Sequence, residues 1–320
     1  MAKELSTEIY FIIDGARLEA QACLLAPTLK ANMSKSQKAV AYLHQDYRAA
    51  LDPLTVEVLE RAGIETRDIP GRTGAHGPWA APYPHGNKIL AATDHRHCDI
   101  TVFLDTDVIL AEPVDFAGEL GKAQIAACVS DYAPSAGSDE DWAHFYEAFD
   151  LPPPEERVQY NAGRRIVSFP YFNAGVVIWR ERDAKGKPTH IGRDWLTTAL
   201  SFEQRVTRPY DRTNIDQFTL PILGYLRGQP VKTLDQRLNF NIESFGQGQG
   251  HRQSIAHYHR LGILWAHETH GRYALETFTA LMGMDATERF LEAFSAHAKR
   301  KRMKRHLSAI ALDASAAAAC

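Results

Sequence analysis

The stretch FLDTDVIL, residues 103–110, sets Asp105 and Asp107 inside an otherwise apolar run. Side chains two apart on a strand share a face, so the two carboxylates can converge on one point. Held that close they repel unless a cation lies between or near them. Hard oxygen ligands favour Mg²⁺ or Mn²⁺, ions that are typically bound by one or two carboxylates together with the phosphates of a substrate. The plainer alternative is that the pair only ends a strand and opens a turn, because Asp-x-Asp arises often by chance.

The elements around the pair favour the chemical reading. EIYFII at 8–13 reads as a buried strand, RLEAQACLLAPTLKANM as a helix interrupted at Pro27, and KAVAYLHQ as a second strand. LDPLTVEVLERAG reads as a helix with Asp52 as N-cap, Pro53 in the first turn and Gly63 as the stop, and ETRDIPG as a third short strand. Further on, NKILAATDHR is a helix, DITVFLDTDVIL and SFPYFNAGVVIW are strands, DRTNIDQFTLPILGYL is a helix, and SIAHYHR alternates like a strand. Strands and helices that alternate in this way predict an α/β fold with a largely parallel sheet covered by helices. In such sheets ligands lie beyond the carboxyl ends of the strands, which is where Asp105 falls. The Gly- and Pro-rich loop 71–86 is too long for a mere connection and is expected to be functional.

Other constellations compete less well. HRHCD, with His95, His97 and Cys98, lacks a second paired cluster at zinc spacing and is expected to be a solvated helix end. His267 and His270 stand at i and i+3, whereas a zincin helix needs i and i+4. GxSxG, GxGxxG and GxxxxGK[ST] are absent, and GQGQG at 246–250 reads as a flexible loop. Trp142, Phe145 and Tyr146 are aromatics able to stack on a sugar, although core packing explains them better.

The chain of 320 residues is 45% hydrophobic and 23% charged, an ordinary globular composition, and its net charge of -3 gives no reason to expect a nucleic-acid partner. Cys23, Cys98, Cys128 and Cys320 form no CxxC pair, and reduced thiols are expected. With neither a secretion signal nor a membrane-length apolar run, the expected place is the cytoplasm. One catalytic domain over 1–285 is expected, then a C-terminal helix and a basic, alanine-rich tail over 286–320. That tail holds Lys299, Arg300, Lys301, Arg302, Lys304 and Arg305, and fits either a solvated terminus or a peripheral contact with acidic lipids at the inner membrane face.

Five segments in order, FLDTDVIL, PYFNAGVVIW, NIDQFTLPI, LDQRLNFN and AHYHRLGILW, resemble the GT-A-type glycosyltransferases, especially those of the glycogenin and bacterial lipopolysaccharide galactosyltransferase type. The resemblance implies the GT-A fold, a mixed, mostly parallel central sheet flanked by helices. It implies that Asp105 and Asp107 bind Mn²⁺ or Mg²⁺ on the diphosphate of a nucleotide sugar, with His257 or His259 as the third protein ligand. Asn173, Ala174 and Gly175 then line the donor-sugar pocket, and Asp216 and Gln217 lie near the sugar without an assigned nucleophilic role. Lys88, Thr106 and Asp131 are placed against the donor, and Asp14 near the ribose. One departure is plain: the family's Lys-Pro-Trp, whose lysine contacts the diphosphate, is Ile263-Leu264-Trp265 here. Arg260 or a tail residue is the candidate substitute.

The activity that the resemblance implies is metal-dependent transfer of a sugar carried on UDP to a glycan, a lipid-linked glycan or a small-molecule hydroxyl acceptor, with retention at the anomeric carbon. Two rivals remain open. A sugar nucleotidyltransferase shares the general fold, but its basic glycine-rich loop is reduced here to Gly15 and Arg17. A catalytically silent nucleotide-sugar binder or scaffold would also account for the lost lysine.

Overall fold

The computed structural model describes residues 5–74, 76–132, 134, 137–160, 166–245, 253–297, 303–308 and 310. The GQGQG run and Lys299 to Arg302 of the basic run therefore lie outside the described residues. The strands are β1 (Thr7–Ile13), β2 (Gln37–Leu43), β3 (Glu65–Asp68), β4 (Ile100–Leu104), β5 (Val108–Leu110) and β6 (Ile125–Val129). They continue as β7 (Val158–Gln159), β8 (Val167–Ser168), β9 (Phe172–Arg180), β10 (Lys232–Thr233), β11 (Phe240–Asn241) and β12 (Ile255–His257). The chain forms two compact units. One is drawn from the stretch up to Tyr10, Asp68–Leu104 and Asp115–Gln236, and the other from Phe11–Arg67, Asp105–Val114 and the chain from Arg237 onward.

In the first unit the strand order is β10-β6-β9-β4-β1. β1 and β4 run parallel, with Thr7 opposite Ile100 and Tyr10 opposite Phe103, and β10 runs parallel to β6. Only β9 runs against its neighbours, β4 and β6. The helices Ile191–Arg205 and Ile215–Leu226 pack on each other, and the second lies on β9. Trp142, Phe145 and Tyr146 are buried core residues, and Trp142 and Phe145 meet Phe218 edge to face at 5.8 and 5.2 Å. The HRHCD segment is only half solvated. His95 and His97 are exposed, but Arg96 turns inward to Glu8 at 2.9 Å and donates to the carbonyls of Ala91 and Ala92, closing the last turn of the helix Gly86–Ala92.

In the second unit the helix Ala16–Asn32 continues past Pro27. A proline there removes one ladder hydrogen bond. Burial outweighs that loss: Ala20, Leu24, Leu25 and Leu29 are fully buried, and the helix packs on Glu268–Met282 and Pro53–Ala62. Asp52 caps Pro53–Ala62 through the Leu54 amide at 2.8 Å, and Gly63 ends it at φ 73°, as the sequence predicts. The expected long strand DITVFLDTDVIL is instead two. β4 stops at Leu104, Asp105 to Asp107 make a turn, and β5 joins a separate sheet of order β11-β12-β5. Asp105 and Asp107 are thus turn residues, and strand alternation does not align them.

Arg96 and Glu8 are both fully buried, and the guanidinium also lies 4.6 Å over the Tyr10 ring. Removing one partner of such a pair leaves a buried charge uncompensated. Arg96→Met is expected to lower unfolding free energy by about 3–5 kcal/mol in a urea titration. A loss below about 1 kcal/mol would show that Glu8 finds other compensation.

Candidate active site

β5 and β12 pair antiparallel, with Val108 opposite His257 and Leu110 opposite Ile255. That register brings the end of the Asp105–Asp107 turn to the end of β12, where the Tyr258 amide donates to the Asp107 carbonyl at 3.0 Å. The Asp107 carboxylate lies 3.0 Å from His257 Nε2. His257 Nδ1 donates to the amide oxygen of Asn239 at 2.9 Å, which leaves Nε2 as the nitrogen turned to Asp107. The His259 ring lies 4.0 Å from that of His257, centroid to centroid. Ligand atoms of Asp107, His257 and His259 all fall within 4.8 Å of one another, the one such cluster among the described residues.

The two imidazoles do not meet by strand alternation. β12 ends at His257, and His259 adopts the left-handed conformation with φ 53°. For a residue with a Cβ that conformation costs about 1–3 kcal/mol and persists only where the surroundings enforce it. Burial, with the charge of His257, pushes His259 down to about 4 despite the opposing pull of Asp107 and Asp105, so its imidazole is neutral near pH 7. Burial alone would raise Asp107. The pull of His257, by charge and by hydrogen bond, wins and holds its carboxyl well below the usual range. One carboxylate and two imidazoles suit Mn²⁺ or another borderline divalent ion, and Asn239 supplies the outer support a metal-ligating histidine needs. Asp105 is half-buried in the same turn and stands outside the three-residue cluster.

A second polar group lies in the first unit. Lys88 Nζ is 3.0 Å from Asp216 Oδ2, 3.2 Å from the Ala174 carbonyl and 4.8 Å from the Phe103 ring centroid. Asp216 is buried at 1% exposure, so it is not the surface helix residue that its pattern also allowed. Its other oxygen accepts from Tyr83 at 3.1 Å. Asn173 to Gly175 fall where β6 and β9 slip register, between the pairs Ala127 with Val177 and Cys128 with Asn173. Asn173 Oδ1 accepts from the Gly175 amide at 2.7 Å and stabilises this bulge, a device common beside active sites. Gln217 is half-buried and donates to Asn214 at 3.3 Å.

The remaining predicted residues have definite places. The Thr106 hydroxyl donates to the Ile12 carbonyl at 2.5 Å and so secures the turn. Asp131 is buried and accepts from Gln236 at 3.1 Å. Asp14 is half-buried directly after β1. Arg260 is exposed and paired with Glu243, and Leu264 and Trp265 of the altered Lys-Pro-Trp segment are buried. Sequence reasoning missed Tyr83, Gln236 and Asn239. The first lies in the loop already marked as functional, and the other two in LDQRLNFN, whose order was read without assigning roles.

Strand order and site together define a GT-A-type glycosyltransferase. Residues 9–224 match the Rhodobacterales glycosyltransferase domain, and the chain belongs to that family. Among solved structures it is similar to the galactosyltransferase LgtC in complex with donor and acceptor sugar analogues, at 16% identity and a TM-score of 0.50 over 86% of this chain and 95% of that one. It is also similar to the bifunctional glycosyltransferase WbbM, at 12% identity and a TM-score of 0.50 over 90% of this chain and 52% of that one. At these identities the likeness supports the fold. A search of curated proteins gives no match.

Loss of a hydrogen bond that orients a metal-ligating histidine typically weakens metal binding about 10- to 100-fold. Asn239→Ala is expected to weaken Mn²⁺ binding by that amount in a calorimetric or paramagnetic-resonance titration, without loss of fold. Unchanged affinity would mean that Asn239 does not set the His257 ring.

Proposed function

We propose that this glycosyltransferase moves a hexosyl group from a UDP-sugar to a hydroxyl acceptor, with retention, and that it requires Mn²⁺ or Mg²⁺. The observation that carries the reading is the convergence of Asp107, His257 and His259 within 4.8 Å. Those three residues, with Asp105, would hold the cation. Once bound there, a divalent cation offsets the negative charge that grows on the departing diphosphate.

The protein's own groups do the rest by placement. Neutral His259 offers a lone pair, His257, tied at Nδ1 to Asn239, would turn Nε2 to the cation in place of the proton it shares with Asp107, and Asp107, already ionised, contributes charge. Lys88 and Asp216 supply a fixed polar floor for the donor sugar, and the Asn173–Gly175 bulge lets backbone approach it. Arg260 takes the place of the family lysine. Its exposed pairing with Glu243 is worth about 0–1 kcal/mol, so it can leave that partner for a diphosphate at little loss.

The acceptor is proposed to be a glycan, a lipid-linked glycan included, on the cytoplasmic side. Lys304 and Arg305 are exposed, as attraction to an anionic membrane surface requires, and no helix among the described residues is long and apolar enough to cross a membrane.

Calorimetric titration with UDP, GDP and CDP, each with Mn²⁺ and with a chelator, tests the donor and the metal together. UDP is expected to bind only with Mn²⁺ present. Asp107→Asn is expected to remove that binding and to slow transfer roughly 100-fold or more. Metal-independent binding, or full transfer by Asp107→Asn, would overturn the assignment.

A further inference from the structure

Tyr83 lies in the irregular loop 71–86 yet is buried, and its neighbours are fixed by side chains from other elements. Arg212 donates to the carbonyls of Pro82 at 2.7 Å and Ala81 at 2.8 Å, and its Nε meets Glu203 at 2.6 Å. Glu203 in turn accepts from the Ala80 amide at 3.0 Å. The Trp79 ring packs edge-on against Tyr83 at 4.9 Å, and a Cβ on Gly86 would come within 2.5 Å of that indole, so glycine is needed there. Arg212 also lies 5.1 Å over the Tyr83 ring.

What this holds in place is one hydroxyl. It donates to Asp216 Oδ1 at 3.1 Å and accepts from the amide of the same residue at 2.9 Å. Asp216 is the second residue of the helix Ile215–Leu226, where an amide has no intrahelical partner. The phenol thus grips both the backbone and the side chain of Asp216, while Lys88 takes the other carboxylate oxygen at 3.0 Å. Burial, and then the Asp216 charge, push the Tyr83 phenol well above its ordinary range, so it keeps its proton. That proton is already committed to Asp216, so Tyr83 acts through the carboxylate.

We infer that Tyr83 is a positioning residue for sugar transfer, fixing the Asp216 rotamer that orients Lys88, and that the Arg212–Glu203 buckle keeps loop residues 80–85 in the form that presents it. This rests on the reading that Asp216 and Lys88 serve the donor sugar.

The test uses the full chain with Mn²⁺ and follows UDP release from UDP-glucose and UDP-galactose. Tyr83→Phe keeps the ring and loses the hydroxyl. It is expected to lower kcat about tenfold, the scale of one hydrogen bond to a charged group. Donor KM should change by less than about twofold, because the defect is in the reacting geometry. The unfolding midpoint should move by no more than about 4 °C. In an Asp216→Asn background, Tyr83→Phe should have no further effect on kcat, a non-additivity that a general loss of packing would not produce. Equal losses in both backgrounds, or wild-type turnover by Tyr83→Phe, would overturn the inference. If Tyr83→Phe does not fold, Arg212→Lys loosens the buckle with the phenol intact, and the same kcat loss, absent in Asp216→Asn, is expected. Wild-type turnover by Arg212→Lys would then overturn the inference. Wild-type turnover by Asp216→Asn would instead refute the role given to Asp216, and no UDP release by the native chain would refute the proposed donor.

Discussion

Antiparallel pairing of β5 with β12 is the constraint on which the cluster of Asp107, His257 and His259 depends. A slip of one residue would turn every side chain of β5 to the other face and take Asp107 away from His257. Strands of three residues are too short to fix a register by themselves. It is set from outside: Thr28 accepts from the Leu110 amide at 3.2 Å, Asn32 donates to the Leu110 carbonyl at 2.8 Å, and the Ala111 amide donates to Ser254 at 2.8 Å. Val108, Ile109, Leu110, Ile255 and Ala256 are fully buried on this sheet. Burial of a large aliphatic side chain is worth about 1.5–3 kcal/mol. Several such terms outweigh the roughly 1–3 kcal/mol of a left-handed His259, which explains how the strained residue is kept.

Helix and strand order was legible because local pattern and burial agree. Asp52, Pro53 and Gly63 mark both ends of one helix, and EIYFII is buried throughout as its run of apolar residues implies. Pro27 misled because its local effect points to a break, and only the packing of the surrounding helix reverses it. The break after Leu104 was legible only as the plainer of two readings. β4 and β5 are both apolar and read together as one strand, although Asp105 and Asp107 also allowed the reading that the pair ends a strand and opens a turn, which is what they do.

The site was legible to a similar degree. Asp107 could be named because two closely spaced carboxylates call for a cation, and His257 and His259 only because the family resemblance implies a histidine ligand there. The choice between the histidines could not be made from sequence, since the family pattern fits either one, and the left-handed backbone of His259 brings both rings together. Tyr83 and Asn239 were hidden for a different reason. Each acts on another residue 133 or 18 positions away, and spacing carries no trace of such a contact.

Two buried ion pairs in the first unit show how the same chemistry serves different ends. Buried pairs contribute little net stability, because desolvation roughly cancels their attraction, so a reason for each must be sought in what surrounds it. Around Glu8 and Arg96 the guanidinium closes a helix end and covers a ring, and the pair is sealed at 0% exposure on both sides. That is an internal tie. The Lys88 side chain is 9% exposed, its charge sits on a flexible stem, and its partners are a carboxylate and the carbonyl of Ala174 in the β9 bulge. An ammonium has no fixed fork, so its direction is set by whichever acceptors are held still. Asp216 is held still by Tyr83, and the bulge by Asn173. The sequence around Lys88 is therefore arranged to fix a movable cation, which an internal tie does not require and the proposed role beside the donor sugar does.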